Sequence, residues 1–260
     1  MAMSRRRRTT ENSRKDPLVV WEVLEHVRND DWSPRQVSGY MRKEGKRISH
    51  GLIYRHIRAD RSGELAGHCR HGMRYNRHGR PVRTTKVRNI PNRKSIHDRP
   101  AEADGKRFGD WEMDTIVGKN GKGAILTLTE RSTNFILMEK LGHGKEAAHA
   151  AKAAVRLLLP YMGDGVKTIT TDNGSEFCSH GDITKAIKGA SVYFADSYCS
   201  WQKGTIENAN KLIRQYIPKG NDFKFVTNEL IRKVQAKINA RPREKFNFST
   251  PKREFFKHIL

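Results

Sequence analysis

Three acidic side chains stand where an alternating apolar and polar pattern gives way to turns or helices: Asp114, Asp172 and Glu207. Three carboxylates gathered around one cavity repel one another unless cations neutralise them. Hard oxygen donors supplied by a few carboxylates, and completed by water and substrate phosphate, suit Mg²⁺ or Mn²⁺. Two such ions about 3.5–4 Å apart would activate a water or hydroxyl and stabilise the departing oxygen of an in-line phosphoryl displacement, with no protein nucleophile. Taken singly, each acid also has a plain structural explanation. Asp172-Asn173-Gly174 is a good tight turn, and a helix-surface Glu near Lys is commonly a solvated pair. Asp110 and Glu112 share a strand face with Asp114, and Glu176 follows Asp172 closely, so spacing does not choose among these acids.

The elements that would position them alternate between short strands and helices from about residue 108. Asp110 to Val117 alternates acid and apolar residues as a strand, and breaks at Gly118. Ala124 to Thr129 and Phe135 to Glu139 read as two further strands joined by a turn. Lys145 to Leu159 is an alanine-rich amphipathic helix ended by Pro160. A fourth strand over Lys167 to Thr171 runs into Asp172, then come a short helix from Asp182 to Lys188 and a last strand from Ser191 to Phe194. A helix from about Gln202 to Tyr216 follows, with Ile206, Ala209 and Ile213 as its apolar stripe and Glu207, Lys211 and Arg214 on the opposite face. Antiparallel strands, then a helix, parallel strands and more helices predict a mixed five-stranded α/β sheet covered on both faces.

The first third of the chain has a different composition. Across 260 residues the formal net charge is +23, and residues 1–100 hold 25 Lys and Arg against 10 Asp and Glu. Asp16-Pro17 caps a helix bearing Val20, Trp21, Leu24 and Val27 at helical spacing. Ser33-Pro34-Arg35-Gln36 is a capping box opening a second helix, and Ser49 caps a third. That third helix buries Leu52, Ile53 and Ile57 and turns His50, Arg55, His56 and Arg58 outward, the form of a helix-turn-helix whose second helix enters the DNA major groove. Residues 1–15 then read as a basic tail, 16–60 as the helix-turn-helix domain, 61–105 as a basic linker and 106–260 as the catalytic domain. His68, Cys69, His71 and His78 fit no usual zinc spacing, and Cys69, Cys178 and Cys199 are too far apart for a C-x-x-C pair. No run approaches the length of a membrane helix, and the N-terminus lacks the apolar stretch of a signal peptide, which points to an intracellular protein.

At these residues the sequence resembles the insertion-sequence-thirty (IS-thirty) family of bacterial DDE transposases. The resemblance runs through Gly109 to Thr115, Thr171 to Phe177 and Ser200 to Asn208, and on into Leu212 to Tyr216 and Pro218-Lys219-Gly220. It ends in Asn239 to Arg243 and Thr250-Pro251. Upstream, Trp32-Ser33-Pro34, Gln36, Ser49-His50 and Ile53-Tyr54-Arg55 look like the helix-turn-helix preceding the catalytic core in that family, so the likeness covers about residues 16–256. It implies a ribonuclease-H-like catalytic domain with Asp114, Asp172 and Glu207 as the metal-binding triad for Mg²⁺ or Mn²⁺, and Arg214 at the family's basic position after the glutamate. It also implies DNA as partner at Lys203, Lys211 and Arg214 as well as on the third helix, assembly as a homo-oligomer on DNA, and a place at the bacterial nucleoid in the cytoplasm. Two departures stand out. Family members usually carry a further N-terminal helix-turn-helix where this sequence opens with Met1 to Lys15, and Ile206 stands where a polar residue is frequent. The expected activity is cleavage at an element's terminal repeats followed by strand transfer. Its alternatives are a truncated DNA-binding repressor of the full-length enzyme, or a metal nuclease of the same fold.

Overall fold

The computed structural model describes residues 15–73, 90–142, 144 and 146–260. They form two compact units, one drawn from Met1–His78 with Arg241–Thr250, the other from Gly79–Ala240 with Pro251–Leu260. The basic stretch over residues 74–89, including His78, lies outside the described residues.

The first unit is helical, and its helices begin where the capping residues sit. Asp16 accepts a hydrogen bond from the Leu18 amide at 2.9 Å at the start of α1 (Pro17–Asp30). The reciprocal Ser33/Gln36 box opens α2 (Pro34–Lys43), and Ser49 accepts from the Leu52 amide at 3.2 Å ahead of α3 (His50–Ala59). The helices close over Val23, Val27, Trp32, Val37, Met41, Ile53 and Ile57. The folded unit reaches beyond residue 60 into the expected linker. A short helix α4 (Glu64–His68) adds Leu65 and Cys69 to the same core, and the His68 ring pairs with Asp31 at 2.7 Å. Residues 241–250, expected in the catalytic domain, group with these helices instead. The ring of Phe248 lies over Gly39, where a Cβ would come within 2.0 Å of it, so the missing side chain is what admits the ring.

The second unit holds one sheet of β1 (Asp110–Val117), β2 (Ala124–Glu130), β3 (Ile136–Leu141), β4 (Thr168–Thr171) and β5 (Ser191–Phe194), in the order β3-β2-β1-β4-β5. β1, β2 and β3 are antiparallel neighbours, while β4 runs parallel to both β1 and β5. Gly109 starts β1 at φ 93°, and a Cβ there would meet the Asp164 carbonyl at 2.5 Å, so only glycine fits. Because side chains alternate across a strand, Trp111 and Met113 point to one face. There they pack with Leu126, Leu128, Ile169 and Phe194 against the small residues Ala150, Ala153 and Ala154 of α5 (Ala147–Leu158). Short α6 (His180–Ala186) adds Ile183, and α9 (Pro251–Phe256) adds Phe255. Ile116, Ile125, Ile136 and Met138 point the other way, against Ala209 and Ile213 of α7 (Gly204–Tyr216) and Ile231, Val234 and Ile238 of α8 (Asn228–Asn239). The strand order, the switch from antiparallel to parallel pairing and the helices on both faces make this the ribonuclease-H-like arrangement expected from the sequence. α8 is an element the sequence reading did not single out. Thr227 caps it by accepting from the Leu230 amide at 3.1 Å. Among the described residues no helix is long and apolar enough to cross a membrane.

Candidate active site

Alternation along β1 sends Asp110, Glu112 and Asp114 to the face covered by α7, and their surroundings separate them. Asp110 is fully buried and held by a two-pronged pair with Arg107, at 3.0 Å from Nε and 2.8 Å from a terminal nitrogen, with the Thr168 hydroxyl donating at 2.7 Å. Glu112 is also fully buried. It accepts from Arg131 Nε at 3.1 Å and from the Ile206 amide at 2.8 Å, and burial pushes its carboxyl above the usual range despite both contacts. These two acids have permanent cationic or backbone partners.

Asp114 lies further along β1, just beyond the stretch paired with its parallel neighbour β4. Asp172 follows β4 directly, and its Oδ1 accepts from the Gly174 amide at 2.9 Å, the bond that closes the turn. The two carboxylates share one cation. Lys203, the residue leading into α7, is buried with its Nζ 3.0 Å from Asp172 Oδ2 and 3.7 Å from Asp114 Oδ1. On the next turns of the same helix, Asn210 Nδ2 donates to Asp114 Oδ2 at 2.7 Å. The Thr127 hydroxyl, on the adjoining strand, joins Asn210 Oδ1 and the Asp114 carbonyl, at 3.1 Å each. Burial raises the Asp114 carboxyl above its ordinary value. Lys203 opposes that rise, and Asp172 and Glu176 add to it. For Lys203 burial works downward, yet Asp114 and Asp172 together hold its ammonium above the ordinary lysine value. The third acid of the expected triad, Glu207, is half-buried one turn along α7 from Lys203, and makes no hydrogen bond or ion pair among the described residues. Glu176 accepts from the Thr115 hydroxyl at 2.7 Å.

The structure therefore brings Asp114 and Asp172 together around an ammonium and leaves Glu207 one helical turn away. Among the described residues, no three His, Cys, Asp or Glu side chains are already drawn together as ligands of a metal ion. The donor set still fits Mg²⁺ or Mn²⁺ in kind: two carboxylates, one on β1 and one just after β4, a third on the facing helix, and a positive charge already held between the first two. Lys203 places its ammonium between the two carboxylates.

The basic residues assigned to DNA from the sequence divide. Lys211 is exposed, as are His50, Arg55 and Arg58 on α3, with Arg58 5.7 Å from the Tyr54 ring centre and His56 half-buried. Lys203 instead points inward to the acids. The Arg214 guanidinium is engaged with backbone, donating to the Val117 carbonyl at 3.0 Å and to those of Ile217 and Pro218 at 3.4 Å, so it fastens the end of α7 to the end of β1. Asn210 and Thr127 were missed by the sequence reading. The available signal was spacing, since Lys203, Glu207 and Asn210 recur at i, i+4 and i+7, a polar stripe beside the apolar one.

No family model matches the chain. It is 42% identical, over 98% of its length and 78% of the relative's, to the transposase for insertion sequence element IS4351 of Bacteroides fragilis. It is 33% identical to the transposase for insertion sequence element IS1086 of Cupriavidus metallidurans, over 90% of this chain and 71% of that one. To transposase InsI for insertion sequence element IS30A of Escherichia coli it is 35% identical, over 85% and 60% respectively. Among solved structures, the catalytic core domain of BIV integrase aligns with a TM-score of 0.45 at 17% identity, covering 58% of this chain and 95% of that one.

Proposed function

Because the chain belongs to the IS-thirty family of insertion-sequence transposases, we propose that it binds the terminal inverted repeats of an insertion sequence, cleaves a phosphodiester there and joins the exposed 3′ hydroxyl to target DNA. The observation that carries this reading is the convergence of Asp114 and Asp172 on one buried positive charge, with Glu207 on the helix that Lys203 leads into. Asp114, Asp172 and Glu207 would hold Mg²⁺ or Mn²⁺, which when bound supplies Lewis acidity to the phosphate and lowers the pKa of a water. Asn210 fixes the rotamer of Asp114 through its 2.7 Å bond, and the Gly174 amide fixes that of Asp172, so both carboxylates are presented in set orientations. Cleavage forms a bond from water oxygen to phosphorus and breaks the bond from phosphorus to the 3′ oxygen, which leaves with a proton. Strand transfer repeats the displacement with that 3′ hydroxyl as the attacking group and the target's 3′ oxygen as the leaving group. Both ends of an element must be cut and joined together, so the working form on DNA is a dimer or a larger assembly, to be read by light scattering of the complex.

The first unit supplies binding. Arg55 and Arg58 stand exposed on α3, behind the Ser49 cap, where a recognition helix presents its base-reading side chains. The test is a labelled element end incubated with wild type and two variants. Wild type cuts in Mg²⁺ and not in chelator, while binding persists in both. Asp172→Asn binds at least as tightly as wild type, because phosphate contacts come from Lys and Arg, and does not cut. Arg55→Ala weakens end binding by about 1–3 kcal/mol. Binding without cutting by wild type in Mn²⁺ would instead make the chain a DNA-binding repressor. Cutting without strand transfer would make it a nuclease.

A further inference from the structure

Immediately before Lys203 the chain makes a tight loop, residues 196–202, that presents two aromatic side chains outward. Trp201 is 72% exposed and Tyr198 54% exposed. Single exposed apolar residues are ordinary on protein surfaces. These two are carried on a loop closed by its own set of bonds. The Asp196 amide donates to Gln202 Oε1 at 2.8 Å and Gln202 Nε2 returns a bond to Asp196 Oδ2 at 2.9 Å. Inside that clasp the Cys199 amide reaches the Asp196 carbonyl at 3.2 Å, the Gln202 amide reaches the Cys199 carbonyl at 3.0 Å, and His97 pairs with Asp196 at 2.9 Å. Tyr198 adopts φ 65°, a left-handed conformation uncommon for a residue with a side chain and retained where the surroundings enforce it. The backbone that carries the two rings is thus fixed by bonds within the loop.

What would cover them is indicated by the charge around them. Arg93 is exposed at the base of the loop, bonded to Asn173 Oδ1 at 2.8 Å and to the Ala195 carbonyl at 3.2 Å. A guanidinium at the base of a loop that carries flat aromatic rings suits a nucleic-acid strand, with a phosphate on the arginine and base faces on the rings. A second copy of this chain, itself carrying +23, would meet repulsion here. We propose that Trp201, with Tyr198 beside it, forms a stacking site for an unpaired nucleobase of the DNA strand being processed, next to the acids on which Lys203 converges. The proposal rests on the DNA-processing reading above and adds a ligand class, an unstacked base, that duplex recognition by α3 does not supply. A base displaced from the duplex beside the scissile bond would be held there while the strand passes the acids.

The experiment uses the full chain at fixed salt, with a short single-stranded oligonucleotide containing 2-aminopurine and its blunt duplex as probes. Wild type quenches the 2-aminopurine fluorescence on binding. Trp201→Ala, at a site too exposed for the change to unfold the protein, weakens single-strand binding by about 5- to 150-fold, the range expected for one lost stack, and leaves duplex affinity within about twofold by the same yardstick. Trp201→Phe keeps most of the single-strand affinity, because any aromatic face can stack. Undiminished single-strand binding by Trp201→Ala, with duplex binding normal, overturns the stacking site and leaves the transposase reading standing. A wild type that binds neither probe overturns the transposase reading itself. If sedimentation shows Trp201→Ala dissociating a DNA-free dimer, the rings are covered by a second copy and the proposal is wrong.

Discussion

β1 carries three acids on one face, and their partners differ between the start of the strand and its middle. At the start of the strand Asp110 and Glu112 are sealed, each held by an arginine, with a hydroxyl or a backbone amide completing the shell. In the middle Asp114 shares a lysine with Asp172 and takes its other bond from an amide side chain. Arg107's planar fork holds Asp110 in two places and Arg131 reaches Glu112 through Nε, whereas the Lys203 ammonium is a point charge on a flexible stem, shared between two carboxylates. All three are carboxylates on the same strand face, and what distinguishes them is the partner each one has. Substitutions at the two positions must therefore fail in different ways.

The largest effect belongs to the pair that shares the lysine. Asp172→Asn keeps shape but removes a charge that would hold the ions, so the barrier to strand cleavage rises by several kcal/mol. Thermal stability stays near wild type, because Lys203 keeps Asp114 as a counter-ion. Cleavage assays in Mg²⁺ beside a melting curve check both halves, and a variant that still cuts at the wild-type rate removes Asp172 from the site. Next in size is Glu112→Ala at the sealed start of the strand. It strands the Arg131 charge and leaves the Ile206 amide without its acceptor, and breaking a buried pair from one side costs about 3–5 kcal/mol. Denaturant titration should show that loss with or without Mg²⁺, and a variant as stable as wild type would mean the arginine pair holds nothing together.

Substituting the cations sharpens the contrast further. Lys203→Met leaves Asp114 and Asp172 facing each other with no charge between them, so the melting temperature falls in chelator. Under the proposed metal site, Mn²⁺ at a hundredfold its dissociation constant would take up the vacated position and return about 2.7 kcal/mol. Arg131→Met also destabilises, but Mn²⁺ does not rescue it, since Glu112 stays enclosed by Ile206 and the strand. Equal rescue of both variants, or of neither, would erase the distinction between exchangeable and permanent partners.

Much of this frame was legible in the sequence because it is written in local chemistry. Asp16, Ser33 and Ser49 announce their helices through capping bonds that involve neighbours within three residues, and the acid and apolar alternation of β1 fixes which face each side chain takes. The partners of the acids were not legible, since Arg131 reaches Glu112 across nineteen positions and Lys203 reaches Asp172 across thirty-one. Spacing alone left Asp110 and Glu112 as equals of Asp114 for that reason. α8 went unread although Thr227, Ile231, Val234 and Ile238 mark it, because its stripe is only completed by Ile136 and Met138 of β3. The placement of 241–250 with the first unit depends on a glycine's absent side chain meeting one distant ring, and no local pattern encodes that.

The smallest predicted effect tests how Asp114 is kept in order. Asn210 has two bonds to the site, its Nδ2 on Asp114 Oδ2 at 2.7 Å and its Oδ1 under the Thr127 hydroxyl at 3.1 Å. Asn210→Ala removes both. Thr127 keeps the Asp114 carbonyl as its acceptor, so the stability loss is confined to one hydrogen bond to a charged group, about 1.5–3 kcal/mol at most and less where water enters the half-buried gap. The consequence for cutting follows from orientation rather than charge. Without the amide, Asp114 can rotate toward Lys203, tightening the ammonium pair that an incoming cation must displace. Cleavage should then demand more Mg²⁺, with the maximal rate approached at high concentration and end binding unchanged, because no basic residue has been touched. A Mg²⁺ titration of cleavage by Asn210→Ala separates the possibilities. A rightward shift with a recoverable maximum assigns Asn210 to positioning. A maximal rate lowered at every Mg²⁺ concentration would place the amide in contact with the reacting strand, and an unchanged curve would show that Asp114 is held in place by the strand and Lys203 alone.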